Sequence, residues 1–226
     1  KEVYYPIPDK DLAVLKQQHF NEKQDWFKVL WVNRNAHRKM PNDLLVAWKN
    51  FLDLLEKEQG HRKAVLIMHT DPSDGEGPNL LAVSELLQIQ ANVWFSTQRV
   101  EFGYMNTLHN MVDCCVNVSK AEGFGLTTLI SLQVGKPIIA LKTGGLTRQV
   151  VDYRDGFEYG VAIEPVERSL IGSQMVPYIY EDIVDKKALT QAFMTMYLKS
   201  PEEKKVLGAK CMEYVEHEFS YSKMIK

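Results

Sequence analysis

Arg34, Arg38 and Lys39 stand within one short stretch of this 226-residue chain, Asn33-Arg34-Asn35-Ala36-His37-Arg38-Lys39. A guanidinium can hold two phosphate oxygens in a fork, and an ammonium adds a mobile point charge, so the cluster could neutralise a phosphate. A solvated surface patch is the plainer alternative. Further on, Glu122-Gly123-Phe124-Gly125 lies between an apolar run at 114–118 and a helix-forming run at 126–134. A glycine turn that opens a helix leaves backbone N–H groups free at the positive end of the helix dipole, which suits an anion. A tight structural turn explains the glycines equally well. Glu122, at the lip of such a site, would face hydroxyls rather than phosphate, and the bland reading is an acid placed at a helix start.

These residues need a scaffold that brings them to one edge. Phe27–Val32 is a nearly continuous apolar strand of the kind buried on both faces of a parallel sheet. A polar loop follows, and Pro41 opens a helix to about Gln59, with Leu44, Trp48, Phe51 and Leu55 on one face and Gly60 after it. The pattern repeats with strands at 64–69, 92–95, 114–118, 138–141 and 161–164, and helices at 80–90, 104–112, 126–134 and 146–151. Residues 165–180 read as long and irregular. Helices at 185–199 and from Ser200 to about Phe219 close the chain, the second opened by a Ser200…Glu203 capping box with Pro201 at its first position.

Strict alternation of this kind predicts an α/β, Rossmann-like parallel sheet with helices on both faces. Residues 1–26 read as a linker, with a short helix at 11–19, and residues 27–226 as the domain. The carboxyl ends of parallel strands share one edge. That edge should gather Asn33–Lys39, residues 69–74, 96–100 and 119–125, and the turn containing Gly144 and Gly145.

The whole-chain numbers exclude several classes. A formal net charge of −2 gives no general attraction to nucleic acid or anionic membrane, so any anion must be held locally. No apolar run is long enough to cross a membrane, and no signal peptide is expected. Cys114, Cys115 and Cys211 have neither disulfide-framework nor metal-ligand spacing, and read as buried residues in a reducing, cytoplasmic compartment. His69, Asp71 and Asp74 lack the fixed spacing of a metal site, so no metal is expected. His37, His61 and His109 read as surface or satisfied histidines. From Gly123 the pattern is G-x-G-x-x-T, with Thr128 where the dinucleotide fingerprint needs Gly or Ala, so no nicotinamide or flavin cofactor is expected.

Ser119-x-x-Glu122-Gly-Phe-Gly-Leu126, then Gly135-Lys-Pro-Ile-Ile, then Gly144-Gly145, resembles the nucleotide-sugar domain of the retaining, group 1 glycosyltransferases of GT-B architecture. Arg34 and Lys39, five apart after the first strand, are similar to that family's pair on the donor diphosphate. The resemblance spans most of residues 27–151. It implies transfer of a sugar from a nucleoside diphosphate sugar with retention, and one half of a GT-B architecture. Arg34, Lys39 and Glu122 would be catalytic, with Glu122 on the transferred sugar. Asn33, Arg38, Ser119, Gly123, Phe124, Gly125, Leu126 and Thr127 would line the donor site, Arg99 and Val100 would flank the base, and Gly144-Gly145 would let backbone approach the sugar. No cofactor beyond the donor is implied. The acceptor, a glycan or other molecule, would be bound by an N-terminal domain outside this chain.

One position departs from that family. A second glutamate, which holds the donor ribose, would stand eight residues after Glu122, where this chain has Ile130. Lying four after Leu126 and four before Val134, Ile130 reads as part of the buried helix face. Thr127 or Ser131 would have to substitute for the ribose contact. A non-catalytic nucleotide-sugar-binding or interaction module is the competing expectation.

Overall fold

The apolar runs become strands of a single sheet. In the computed structural model of the protein, which describes residues 3–220, these are β1 (Phe27–Val32), β2 (Ala64–His69), β3 (Val93–Ser96), β4 (Cys114–Asn117), β5 (Ile138–Leu141) and β6 (Gly160–Ile163). All pair in parallel, in the order β3-β2-β1-β4-β5-β6. The strand order reverses between β1 and β4. That reversal parts the two loops leaving their carboxyl ends and opens a crevice between them.

Helices cover both faces, as the alternation demands. They are α1 (Asp9–Phe20), α2 (Pro41–Gln59), α3 (Leu80–Leu86), α4 (Phe102–Met111), α5 (Leu126–Gln133), α6 (Gly144–Val150), α7 (Lys186–Leu198) and α8 (Pro201–Glu218). Side chains alternate along β1: Phe27, Val29 and Trp31 pack towards α2 and α7, whereas Leu30 packs towards α1 and α4. Cys114 and Cys115 divide between the two faces in the same way. Trp48, Phe51 and Phe193 form an aromatic cluster in this core, with Trp48 edge-on to Phe193 at 5.1 Å between ring centres. Burying each such ring contributes roughly 1.5–3 kcal/mol. The helix ends follow the sequence signals: Pro41 opens α2, left-handed Gly60 closes it, and the Ser200–Glu203 capping box opens α8.

Three features differ from the sequence reading. Residues 1–26 read as a linker, yet α1 places Leu12 and Phe20 in the core with Leu30, Ile67 and Leu108, and Asn106 and Asn110 accept the amides of Tyr5 and Ile7. Within 165–180, which read as irregular, part of an antiparallel hairpin forms, β7 (Glu167–Leu170) against β8 (Tyr180–Ile183). The third concerns α5. Its buried residues are Thr128, Ser131 and Leu132, while Leu126 is exposed and Ile130 half-buried. Ile130 is therefore not part of a Leu126–Ile130–Val134 core face. Thr128 and Ser131 can be interior because each hydroxyl is bonded there, to Gln149 and His109 respectively.

Candidate functional site

The loops after β1 and β4 meet at the switch point and are tied to each other. The amide of Lys120 donates to the Arg38 carbonyl at 2.8 Å, and the Arg38 guanidinium reaches the Ala121 carbonyl at 3.4 Å. Lys39, almost wholly buried, forms an ion pair with Glu122. Between these loops and those after β2 and β3 lies an open cavity of ≈ 630 Å³. Arg34, Arg38, Lys39 and Arg99 line it, facing Asp71, Asp74 and Glu122, with Asn33, Phe124, Gly125, Leu126 and Thr127 completing much of the wall. A cleft of this size is typical of small-molecule sites.

The glycine turn is held by tertiary contacts as well as by its own chemistry. Gly125 caps α5 in the left-handed region, φ +83°. The Gly145 amide donates to the Glu122 carbonyl at 2.9 Å, and a side chain on Gly145 would run into the Gly123 carbonyl at 2.6 Å. Gln149, wholly buried, donates to the carbonyls of Phe124 and Gly125 and accepts from the Thr128 hydroxyl at 2.6 Å. The first-turn amides of α5 have no carbonyl one turn back, so the turn presents donors beside Lys39 and Arg38.

The two cations expected to act on an anion are already occupied by carboxylates. Arg34 holds Asp74 in a fork, Nε to Oδ2 at 2.7 Å and Nη2 to Oδ1 at 3.1 Å, and reaches Glu76 at 3.0 Å. Its hydrogen bonds to Asp74 hold that carboxyl below the usual range. Arg34 is mostly exposed, so an incoming anion can displace these partners at little cost. His69 donates or accepts at the Ser96 hydroxyl, 3.0 Å away, and burial lowers its pKa. His69, Asp71 and Asp74 line the same wall, and among the described residues no group of three His, Cys, Asp or Glu converges as metal ligands would. Asn33 and Thr70 line the cavity, and Asn33 Nδ2 and Thr70 Oγ1 are buried in its wall without a hydrogen-bond partner among the described residues.

Several of the expected residues stand back from the cavity. Ser119 is buried, its hydroxyl and amide both given to Asn117 Oδ1 at 2.6 and 3.1 Å. Gly144 and Gly145 lie behind Glu122 and support its backbone. Gly123 is exposed at the turn. Val100 lines a neighbouring hollow with Trp94, Thr97, Gln98 and Tyr104. Ile130 is not among the residues lining the main cavity. Sequence reasoning missed Gln149 and the Asp74–Glu76 partners of Arg34. Gln149 does carry a signal: it is an amide on the same face as Leu146 and Val150, where an apolar residue would be the usual choice.

The sequence model of the family described as glycosyl transferases group 1 matches residues 15–165. A trehalose synthase of Pyrococcus horikoshii is 32% identical over 119 residues, 53% of this chain and 23% of that protein. The C-terminal domain of a glycosyl transferase group 1 family protein from Francisella tularensis superposes over 97% of each chain, with a TM-score of 0.66 and 15% identity. An Anabaena protein crystallised with UDP superposes over 96% of this chain and 50% of its own, with a TM-score of 0.71 and 17% identity. The chain thus spans about a quarter of its curated relative, and its fold is that of a C-terminal GT-B domain.

Proposed function

The chain belongs to the group 1 glycosyl transferases, and on that footing we propose that it is the donor-binding half of an enzyme moving a sugar from a nucleoside diphosphate sugar to an acceptor with retention. One observation carries the reading: Arg34, Arg38, Lys39 and Arg99 converge with the 122–127 turn on a single cavity at the strand-order reversal. Arg34 and Lys39 neutralise the charge that grows on the departing diphosphate, where preorganised cations lower a barrier most. The amides opening α5 take phosphate oxygens, and Glu122, released from Lys39, accepts from sugar hydroxyls. Arg99 and Val100 flank the base. The UDP held by the Anabaena protein supports this class of donor. Acceptor binding belongs to a further domain. The unbridged, buried thiols support a cytoplasmic setting, and among the described residues no helix is long and apolar enough to cross a membrane.

The test is a calorimetric and thermal-shift titration with UDP, GDP and ADP. Ligand at about 100 Kd stabilises the fold by roughly 2.7 kcal/mol. One nucleotide should bind, and Arg34→Ala and Lys39→Ala should each weaken it by on the order of tenfold or more. Unchanged affinity in both variants overturns the phosphate assignment.

Ile130 supports a second reading. A half-buried aliphatic side chain cannot accept a ribose hydroxyl, which fits a module that binds a nucleotide sugar without turning it over. Nucleotide binding without transfer by the full-length protein would favour it.

A further inference from the structure

At the opposite edge of the sheet, where β4 and β5 begin, lies a second cavity of ≈ 520 Å³. It is walled by α1, the turn after α5 and the first turns of α8. Gly135 and Gly208 let α8 approach that turn closely, since a Cβ on Gly208 would overlap the Gly135 carbonyl. Lys16, Lys136, Lys204 and Lys205 line the cavity, with Asp9 and Asp113 as the carboxylates. Asp113 is already engaged, accepting from the Lys28 amide at 2.8 Å and from Lys204 at 3.2 Å. Lys136 is the informative residue. It is half-buried, and its ammonium has no hydrogen bond or ion pair among the described residues. Burial, with Lys16 next in effect, pushes its pKa down to about 8. Asp113 and Asp9 attract it only from beyond ion-pair distance, so the ammonium lacks a direct acceptor.

We infer that this cavity is a second anion site, taking the phosphate group of a small phosphomonoester on Lys16, Lys136 and Lys205. A phosphate presents several strong acceptor oxygens and up to two negative charges, so it can take more than one of the ammonium groups lining the cavity. The volume exceeds what phosphate alone fills, and Ile7, Leu12, Val112, Val134 and Met212 offer apolar wall for a body the size of a sugar. The site is separate from the cleft that holds Arg34 and Lys39, at the carboxyl ends of the strands, and its occupation does not depend on the donor reading.

The test measures amine-labelling rates residue by residue, by mass spectrometry, as glucose 6-phosphate or inorganic phosphate is added at constant ionic strength set with chloride. Either probe should slow labelling of Lys136 and Lys16 saturably while distant lysines such as Lys57 stay unchanged. Tighter protection by the sugar phosphate identifies the organic body as part of the ligand; equal protection by both overturns that part and leaves a phosphate site. Lys136→Met and the half-exposed Lys16→Met should each weaken binding by roughly tenfold, and Lys16→Met keeps the test valid if the first variant misfolds. The Arg34→Ala/Lys39→Ala variant should protect Lys136 as the parent does. Protection that chloride reproduces, or that survives both lysine variants, or that disappears only in the Arg34→Ala/Lys39→Ala variant, overturns the inference.

Discussion

Gln149→Leu tests whether the glycine turn owes its shape to one buried amide. Gln149 is wholly inaccessible, so leucine, of similar volume, leaves little cavity. The loss is in hydrogen bonds. Gly125 keeps two donors to its carbonyl, the Leu129 amide at 3.1 Å and the Thr128 hydroxyl at 2.8 Å. Thr128 keeps Gly125 as an acceptor. The Phe124 carbonyl loses the side-chain donor that turns it inward. Leaving such a group unpaired costs about 1–3 kcal/mol. At roughly 2–4 °C per kcal/mol for a chain of this size, a mid-range loss of about 2 kcal/mol lowers Tm by about 4–8 °C. Gln149→Glu should be worse, because it loses the same donor and also sets an unpaired buried carboxylate against two carbonyl oxygens. Calorimetry reads both variants. On the donor reading, the loosened turn also weakens nucleoside diphosphate binding by on the order of tenfold, from a free energy similar to the one lost in folding. A Tm within about 1 °C of the parent in both variants, with unchanged nucleotide affinity, refutes the account.

Other consequences are more local. Because Lys39 and Glu122 are paired and largely buried, removing either alone strands the other, and the Lys39→Met/Glu122→Gln double variant should be more stable than the sum of the singles by on the order of 1–3 kcal/mol in urea unfolding. His109 is buried, with Nδ1 on the Ser131 hydroxyl at 2.9 Å and Nε2 without a partner among the described residues, and burial followed by the nearby His69 pushes its pKa down to about 3. The unfolded chain therefore binds the extra proton between about pH 6.5 and pH 3, and stability falls as pH drops through that window, by about 2 kcal/mol from pH 7 to pH 5. His109→Gln should flatten that slope. Burial pushes the thiols of Cys115 and Cys211 up to about 12, and Cys114 is raised as well. Ellman's reagent should leave all of them unmodified in the native protein and label them at the rate of unfolding; rapid native labelling would contradict the burial.

Local chemistry made most of the scaffold legible. Phe27–Val32 could only be a strand buried on both faces, Pro41 and Gly60 bracket α2, and Ser200 with Glu203 mark the start of α8. The β7–β8 hairpin was illegible because Glu167-Arg168-Ser169 carries no apolar alternation; its register rests on cross-strand pairing, with Arg168 forked onto Asp182. The phase of α5 was misread for a different reason. Apolar periodicity treats hydroxyl residues as outward-facing, yet Thr128 and Ser131 face inward because Gln149 and His109, far along the chain, meet their hydroxyls. Arg34 was legible as a cation at the site edge, but its carboxylate partners, forty residues on at Asp74 and nearby at Glu76, could be seen only in the fold.

These carboxylates change what the cluster of cations means. A cavity lined by unopposed arginines and lysines would attract any polyanion, and its own charges would repel one another. Here Asp74 and Glu76 hold Arg34 while Glu122 holds Lys39. On the donor reading, an anion that matches the arginine fork and brings Glu122 a hydroxyl replaces the partners of Arg34, Lys39 and Glu122, while the surface carboxylates Asp74 and Glu76 return to solvent at little cost. Inorganic phosphate could take Lys39 but offers Glu122 only its own P–OH, with a new negative charge held directly against the carboxylate. A phosphate ester carrying a hydroxylated body meets both demands, since the phosphate takes the cations and the hydroxyls take Glu122. If the donor reading holds, these ion pairs should make a sugar-bearing diphosphate bind more tightly than a bare one, because only the sugar gives Glu122 neutral hydroxyl donors, and comparing the two by calorimetry reads the difference.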